Sequence, residues 1–390
     1  MTNRSASRMA LLSGESAFTI MSKANALEAE GKSIIHLEIG QPDFKTPNNI
    51  IDAAYKAMCD GKTGYTPTRG IIPLRETITE YCLKQKNVKT NIGEIVVVPG
   101  GKPIMFFTML MLINPGDEVI CPNPGFPIYE SVIRFAGGKV VPMPLLEARE
   151  FRLDLNRLAE SITDKTKLII INSPGNPTGG VLTESDIRAI AELIKDREDI
   201  YVLSDEIYDR IIFEGTPFSI ASIPYMKDRT IILDGFSKTY AMTGWRIGYG
   251  VMNPELAAHM EMLMVNSNSC AASMTQWAAI EAYTGPQDET LKMVAEFKMR
   301  RDRIVQELNQ IDGISCVTPH GAFYVFPNIS SFGLKSEEFA SRLLTEGGVA
   351  AAGGTAFGSY GEGYLRLSCA NSLQNLEIAA ERIAKFVKTL

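Results

Sequence analysis

The chain has 390 residues, which is long for one ordinary domain and fits two domains or one split domain. Its residues are 45% hydrophobic and 22% charged, close to the globular average, which excludes a disordered or fibrous chain. The 39 basic and 45 acidic residues give a net charge of −6. Nucleic-acid and membrane-surface binders carry a basic footprint, so we expect neither partner.

Metal binding, secretion and membrane insertion are not expected from the sequence either. The three histidines, His36, His259 and His320, are far apart and lack metal-ligand spacing. The six cysteines form no CxxC pair and are expected to be reduced. The longest apolar run, residues 104–113, is well short of the ~20 residues that a spanning helix needs. No secretory signal is expected, so we predict a soluble, cytoplasmic protein.

In chain order, short apolar runs rich in β-formers alternate with helical patterns after a mixed segment, residues 1–45, that holds a possible strand at 34–39. Runs that are apolar on both faces suit a parallel sheet covered by helices on both sides. The alternation predicts an α/β domain over residues 46–290. The predicted strands are 95–98, 118–121, 168–171, 201–203 and 231–233, and the predicted helices are 103–112, 128–135 and 184–195.

The last hundred residues have a different pattern. A long charged helix is predicted over 293–308, strands over 322–326 and 364–368, and a final helix near 376–388. These elements predict a smaller α+β domain that is built from both chain ends, residues 1–45 and 291–390.

Polar residues cluster directly after the predicted strands. The carboxyl ends of parallel strands share one edge of a doubly wound sheet, and ligands bind there. We therefore predict one catalytic site that combines a Gly-rich turn with Lys, Asp, Asn, Tyr and Ser side chains. The segments concerned are 100–102, 123–126, 173–176, 205–208 and 237–238.

Residues 235–246 (GFSKTYAMTGWR) carry the most specific pattern. Ser237 and Arg246 suit a phosphate, which arginine binds bidentately. Lys238 can form a Schiff base if desolvation and nearby positive charge lower its pKa. A lone lysine is usually a solvated surface residue, but its place between two strands favours the functional interpretation. A nicotinamide-dependent dehydrogenase would share the sheet, but no GxGxxG fingerprint follows a strand here.

Eight motifs in order resemble those of fold-type I pyridoxal-phosphate (PLP) enzymes of the class I/II aminotransferase family, aspartate aminotransferases among them. This resemblance implies a large domain with a mostly parallel sheet between helices, plus a smaller α+β domain. It also implies PLP as cofactor. The motifs are IGQPDF (39–44), YTPTRG (65–70), PGGKP (99–103), NPGFPIY (123–129), NSPGNPTGG (172–180), SDEIYD (204–209), SKTYAMTGWRIGY (237–249) and YLRLS (364–368).

The resemblance gives five residues roles around the cofactor ring. Lys238 is expected to bind PLP as a Schiff base and then to move the substrate proton. Asp205 is expected to pair with the pyridine nitrogen, which keeps the ring an electron sink. Asn176 and Tyr208 resemble the pair that binds the ring's 3′-oxygen, and Phe126 resembles the aromatic residue stacked on the ring.

Five further residues resemble the phosphate site. They are the backbone of Gly101 and Lys102, the side chains of Ser237 and Arg246, and Tyr65. Since Tyr65 resembles a tyrosine that reaches the cofactor of the neighbouring subunit, the resemblance implies a homodimer with shared active sites.

The substrates implied are an L-amino acid and a 2-oxo acid such as 2-oxoglutarate, in two half-reactions. Arg366, together with Gly40 and Asn176, is expected to bind the α-carboxylate of the substrate. Lys102 is expected to bind the distal carboxylate of a dicarboxylic substrate. Phe126 stands where close aspartate enzymes often have Trp, and residues 13–18 (SGESAF) differ from their pocket segment. An aromatic or broad substrate range therefore stays open beside an aspartate-like one.

Two other functions are compatible with the same scaffold. One is a PLP-dependent β-lyase, and the other is a catalytically silent PLP-binding protein. We expect no DNA-binding extension before residue 40, which disfavours a regulator. The complete set of Lys238, Asp205 and Arg366 argues against a silent protein.

Overall fold

A computed structural model describes residues 5–390 of the chain. Over these residues the chain forms twelve α-helices and twelve β-strands, joined by short 3₁₀ turns. The helices are α1 (Ser16–Ala29), α2 (Asn48–Cys59), α3 (Ile72–Lys86), α4 (Lys102–Leu112), α5 (Ile128–Phe135), α6 (Leu155–Ser161), α7 (Glu184–Leu193), α8 (Pro254–Val265), α9 (Ser273–Thr284), α10 (Asp288–Leu308), α11 (Ser336–Arg342) and α12 (Leu373–Val387). The strands are β1 (Ile35–His36), β2 (Ile95–Val98), β3 (Glu118–Asn123), β4 (Lys139–Pro144), β5 (Thr166–Asn172), β6 (Tyr201–Asp205), β7 (Thr230–Gly235), β8 (Gly248–Val251), β9 (Tyr324–Val325), β10 (Val349–Ala350), β11 (Ala352–Gly353) and β12 (Leu365–Ser368).

Seven strands form the central sheet, in the order β2-β8-β7-β6-β5-β3-β4. Only β8 runs against its neighbours, so the sheet is mostly parallel, as predicted. Val96 and Val98 pack into one apolar core and Ile95 and Val97 into another. A strand that is buried on both faces needs helices on both sides, which explains the continuous apolar runs.

The carboxyl ends of β2, β3, β5, β6 and β7 lie at one edge of this sheet. Each is followed by a turn that the sequence analysis had singled out for its polar residues. Two of these turns contain cis peptide bonds before proline, the turn after β3 at Asn123–Pro124 and the turn after β5 at Ser173–Pro174 and Asn176–Pro177. The predicted polar turns therefore lie together at one edge of the sheet.

The smaller sheets join distant parts of the chain. Strand β1 pairs in parallel with β10, and β12 lies between β11 and β9 in an antiparallel sheet. Below them α10 and α12 pack a shared core that includes Phe297, Phe323 and Phe339. The proposed division into residues 46–290 and the two chain ends stays a prediction, and residues 1–4 lie outside the described part.

Most predicted elements lie within a few residues of the observed ones, but several observed elements were not predicted, namely α1, α2, α3, α6, α8, α9, α11, β4, β10 and β11. Residues 16–29 form α1 inside the segment that was described as mixed, and β4 was not predicted at all. The possible strand at 34–39 is reduced to β1. Among residues 5–390, none of the helices has the length and apolarity to cross a membrane. The cytoplasmic location stays a prediction.

Candidate active site

A cavity of about 490 Å³ opens at the carboxyl edge of the central sheet. Every predicted site residue except Tyr65 lines it, and Tyr65 is 95% exposed elsewhere on this chain. The predicted residues that the fold brings together here are Gly40, Gly101, Lys102, Phe126, Asn176, Asp205, Tyr208, Ser237, Lys238, Arg246 and Arg366.

Lys238 follows β7 and is partly buried in the cavity wall. Its Nζ donates a hydrogen bond to the backbone oxygen of Gly40 and lies 6.0 Å from the ring centroid of Tyr208. The pKa of Lys238 is lowered to about 8, mainly by burial and secondly by the positive charge of Arg366. A substantial fraction of the amine is therefore neutral near pH 8, as a nucleophile or base requires.

Asp205 ends β6 and is buried at the cavity floor. The hydroxyl of Tyr129 donates to its Oδ2 at 2.6 Å, and the Ile207 backbone N–H donates to its Oδ1 at 3.3 Å. Burial raises the pKa of Asp205 to about 6, although both hydrogen bonds oppose the rise. A cationic or N–H partner in the cavity would stabilise the ionised carboxylate.

Hydrogen bonds of two tyrosines and two asparagines join different segments of the cavity wall. The hydroxyls of Tyr208 and Tyr324 share a hydrogen bond of 2.8 Å. Asn172 accepts the backbone N–H of Asn176 at 2.9 Å and donates to the backbone oxygen of Asp205 at 3.2 Å. These bonds fix the turns after β5 and β6 relative to each other, so the side chains that face the cavity are held in position.

Arg366 lies on β12 with 4% of its surface exposed. Its Nη2 donates to the backbone oxygen of Glu38, its Nη1 donates to Asn176 Oδ1 at 3.4 Å, and both acceptors are neutral oxygens. Among the described residues, no atom accepts a hydrogen bond from its buried Nε. A buried guanidinium without an anionic partner is costly, so a carboxylate ligand would stabilise this side chain.

A cradle for a second anion lies between α4 and Arg246. No side chain caps the first turn of α4. Pro103 has no N–H and the Ile104 N–H donates to the Gly101 oxygen at 3.1 Å, so the N–H groups of Gly101 and Lys102 are the ones that can bind an anion. Gly100 has a φ of +80°, and a Cβ there would lie 2.1 Å from Arg246 Nη2. Only glycine therefore lets this guanidinium approach the turn, and Ser237 lines the same cavity.

Lys102 points to the other end of the cavity and forms an ion pair with Glu15. Its Nζ also lies 5.7 Å from the ring centroid of Phe126. Glu15 was not among the predicted site residues. The sequence held only a weak signal for it, the departure of residues 13–18 from the related segment.

Three more cavity residues escaped the sequence analysis: Tyr129, Asn172 and Tyr324. Tyr129 and Asn172 stand inside motifs that were recognised, so position in those motifs was an available signal. Tyr324 lies in a predicted strand without a motif. Its hydroxyl explains Gly40, because a Cβ at residue 40 would lie 2.2 Å from that oxygen.

Comparisons with known proteins agree over nearly the whole chain. The family model for aminotransferase class I and II matches residues 32–383. The aspartate aminotransferase of Bacillus subtilis (strain 168) is 40% identical over 98% of each chain. That of Bacillus sp. (strain YM-2) is 39% identical over 98% of this chain and 99% of the relative.

Solved structures of aspartate and aromatic aminotransferases are similar to this chain. The aspartate aminotransferase of Rhizobium meliloti superposes with a TM-score of 0.94 at 34% identity, over 99% of both chains. The aromatic aminotransferase of Pyrococcus horikoshii OT3 superposes with a TM-score of 0.89 at 38% identity, over 95% of this chain and 99% of the other.

Proposed function

Because the chain belongs to the class I and II aminotransferase family and is a fold-type I aminotransferase, we propose that the cavity binds PLP and carries out amino transfer. The observation that carries the proposal is the convergence of three different partners on one cavity. They are an amine of lowered pKa, a buried carboxylate and an anion cradle, contributed by Lys238, Asp205 and Arg246.

These partners fit a phosphorylated pyridine aldehyde. The N–H groups of Gly101 and Lys102, together with Ser237 and Arg246, would hold the phosphate. Asp205 would accept a hydrogen bond from the ring nitrogen. Phe126 would stack on the ring, and Tyr208 and Asn176 would bind its 3′-oxygen. When bound, PLP supplies an aldehyde for covalent attachment and a ring that withdraws electrons from the substrate Cα.

Lys238 has two tasks in this proposal. Its neutral amine would hold the cofactor covalently, and once released, Nζ would take the proton from the substrate Cα and hold it for return to the substrate. The pKa of about 8 suits both tasks near neutral pH, because a useful base has a pKa close to the working pH.

Arg366 would bind the substrate α-carboxylate through its Nη1 and Nε, with the backbone of Gly40 nearby. This orientation presents Cα to Lys238, whose Nζ contacts the same Gly40. Lys102, at the far end of the cavity, would meet the distal carboxylate of a dicarboxylic amino acid or of 2-oxoglutarate. The couple we propose is 2-oxoglutarate with an aspartate-like, aromatic or broader amino acid.

We also propose that the active form is a homodimer. Tyr65 is almost fully exposed, on the chain between α2 and α3, and lies outside the cavity of its own chain. An exposed tyrosine of this kind is available to reach the phosphate site of a second copy.

The decisive experiment records the absorption spectrum of the PLP-loaded protein while single amino acids are added without a keto acid. Loss of the visible band and appearance of pyridoxamine phosphate establish the half-reaction, and the fastest donor identifies the substrate class. A band that persists while pyruvate and ammonia accumulate would indicate a β-lyase. A band that responds to no amino acid would indicate a silent protein. The relatives favour neither alternative.

A further inference from the structure

The side-chain end of the cavity already holds a carboxylate of the protein itself. Glu15 forms an ion pair with Lys102, the residue to which we assign distal-carboxylate binding, so this step rests on the proposed function. Only 19% of the Glu15 side chain is exposed. The substrate's distal carboxylate and Glu15 therefore compete for one ammonium group.

The backbone before Glu15 is anchored, so its carboxylate is held at the cavity. The Ser13 backbone N–H donates to Ser131 Oγ at 2.9 Å, and that hydroxyl donates back to the Ser13 backbone oxygen at 3.3 Å. Ser131 is buried on α5, the helix that follows the turn bearing Phe126. Helix α1 begins at Ser16, directly after Glu15.

The charges of the cavity determine how strongly the competition for Lys102 affects substrate binding. In the proposed function Arg246 pairs with the phosphate, Arg366 with the α-carboxylate, Asp205 with the ring nitrogen, and Lys238 is at the substrate Cα. The two charges left for the substrate side chain are then those of Lys102 and Glu15, which neutralise each other. A second carboxylate has to separate this pair and then lies beside the Glu15 carboxylate, which like-charge repulsion opposes. A neutral side chain leaves the pair intact.

The remaining lining suits a neutral side chain. The cavity lining also includes five apolar residues, and three of them carry aromatic rings, of which that of Phe126 lies 5.7 Å from Lys102 Nζ. Apolar walls with a few fixed polar groups are typical of sites that accept aliphatic or aromatic groups. These apolar residues are Phe18, Ile39, Met105, Phe126 and Phe357.

We propose that Glu15 is a specificity-determining residue that shifts this aminotransferase away from dicarboxylic amino acids and toward neutral ones, chiefly apolar or aromatic. Glu15 acts by occupying Lys102 when the substrate side chain is uncharged. It is displaced when a dicarboxylate binds, and the cost of that displacement sets the preference.

The test is Glu15→Gln, which removes the charge and keeps the shape. Half-reaction kcat/KM values are measured for aspartate, glutamate and phenylalanine on wild type and variant. We expect the aspartate-to-phenylalanine ratio to rise by about 10-fold or more, since like-charge contacts at binding surfaces have costs of that order. Calorimetric titration with succinate and 3-phenylpropionate gives a readout without turnover, and succinate should tighten selectively.

A double-mutant cycle separates this effect from a change of cavity shape. In a Lys102→Gln background there is no ammonium to release, so Glu15→Gln should raise the ratio clearly less than it does in wild type. Glu30→Gln, at the exposed end of α1, is the matched control and should leave the ratio as in wild type.

The possible outcomes distinguish a failure of the Glu15 inference from a failure of the proposed function. If wild type transfers amino groups but Glu15→Gln changes the ratio by less than about twofold and leaves succinate affinity as before, the inference is wrong while the proposed function stands. The inference is also wrong if the gain is equal in the two backgrounds. If PLP-loaded wild type reacts with no amino acid, the proposed function fails and the inference fails with it.

Discussion

Two enclosed lysines of this protein have opposite surroundings. Lys86, at the end of α3, is 3% exposed, and its Nζ lies 2.8 Å from Glu206, 3.0 Å from Asp234 and within contact of Asp209. Lys238 donates to a backbone oxygen and faces Arg366, Lys102 and Arg246. Lys86 meets three carboxylates, whereas Lys238 meets three cations and one carboxylate, that of Glu15.

The pKa values follow from that difference. Burial by itself lowers the pKa of Lys86, but Asp209, Asp234 and Glu206 outweigh it and raise the pKa well above the usual range. At Lys238 burial and the positive charges of Arg366, Lys102 and Arg246 lower the pKa to about 8, although Glu15 opposes them. The counter-charges of Lys86 all belong to the fold, whereas near Lys238 the fold supplies only Glu15, which pairs with Lys102, and anionic ligands would supply the rest.

The two regions nevertheless meet in one turn. Asp205 and Tyr208 line the cavity, while Glu206 and Asp209, their neighbours in sequence, contact Lys86. Ser204 and Ser219 also donate to Glu206, at 2.8 and 2.7 Å. The ion pairs of Lys86 therefore fix the turn that also carries Asp205 and Tyr208 of the cavity.

Removal of the cavity lysine should have the largest effect. Lys238→Ala loses the cofactor attachment and the proton-transfer base together, so half-reaction kcat/KM should fall by about 10⁴-fold, the upper range for a positioned base. Rapid-mixing absorbance measurements on PLP-loaded protein check this. Lys89→Ala, an exposed lysine after α3, is the control and should keep wild-type rates. A loss under tenfold in Lys238→Ala would contradict its role.

Removal of the structural lysine should act on stability instead. Lys86→Met leaves three carboxylates buried without their cation, which should lower the free energy of unfolding by about 3–5 kcal/mol. Urea unfolding of the apoprotein measures it, with the exposed Lys84→Met on the same helix as control. An equal loss in both variants would show that the cluster contributes no special stability.

Arg366→Ala tests whether the unpaired guanidinium is prepared for a substrate carboxylate. Loss of a charge-assisted bidentate pair should raise the KM for every amino acid about 100-fold, with a smaller effect on kcat. The exposed Arg157→Ala is the control. Unchanged amino-acid affinity would exclude the α-carboxylate role.

The smallest expected effect is also the one of opposite sign. The pKa of Lys238 is about 8 in the folded protein against 10.5 normally, so below pH 8 its charged form destabilises the folded apoprotein. That penalty disappears as the pH rises from 8 to 10.5. Lys238→Met should therefore stabilise the apoprotein at pH 7 by about 1–2 kcal/mol, a value reduced for partial exposure.

The pH dependence provides the check on that sign. Urea unfolding of wild type and Lys238→Met at pH 7, 8.5 and 10 should give a difference that shrinks with rising pH. A Lys238→Met variant that is less stable than wild type at pH 7 would mean that the cavity lysine is paired within the fold, as Lys86 is.

Site residues that stand in local sequence motifs could be predicted, whereas contacts between residues far apart in the sequence could not. Asp205 and Lys238 were predictable because each follows a buried strand inside a recognisable motif. Lys86 was not, since it ends a helix with neighbouring lysines and its partner Glu206 is 120 residues away. Glu15 and Lys102 are 87 residues apart, and no local pattern links them.

Two of the elements that were not predicted, α1 and β4, show physical reasons why the sequence did not reveal them. Helix α1 has Ala24 as its one buried residue, so it shows little apolar periodicity. Strand β4 contains Pro142 and Pro144, which argue against a strand, yet it lies at the sheet edge where proline is tolerated.

The pairing of β1 with β10 has a consequence for how the protein is made. Ile35 pairs with Val349, and Arg366 reaches back to the Glu38 carbonyl, so the amino-terminal segment finds its partners only when the last part of the chain has left the ribosome. The strands of the central sheet are synthesised much earlier and can associate first. A nascent chain that stops before residue 349 therefore contains Lys238 but lacks Arg366, so the cavity is complete only after the last segment has been added.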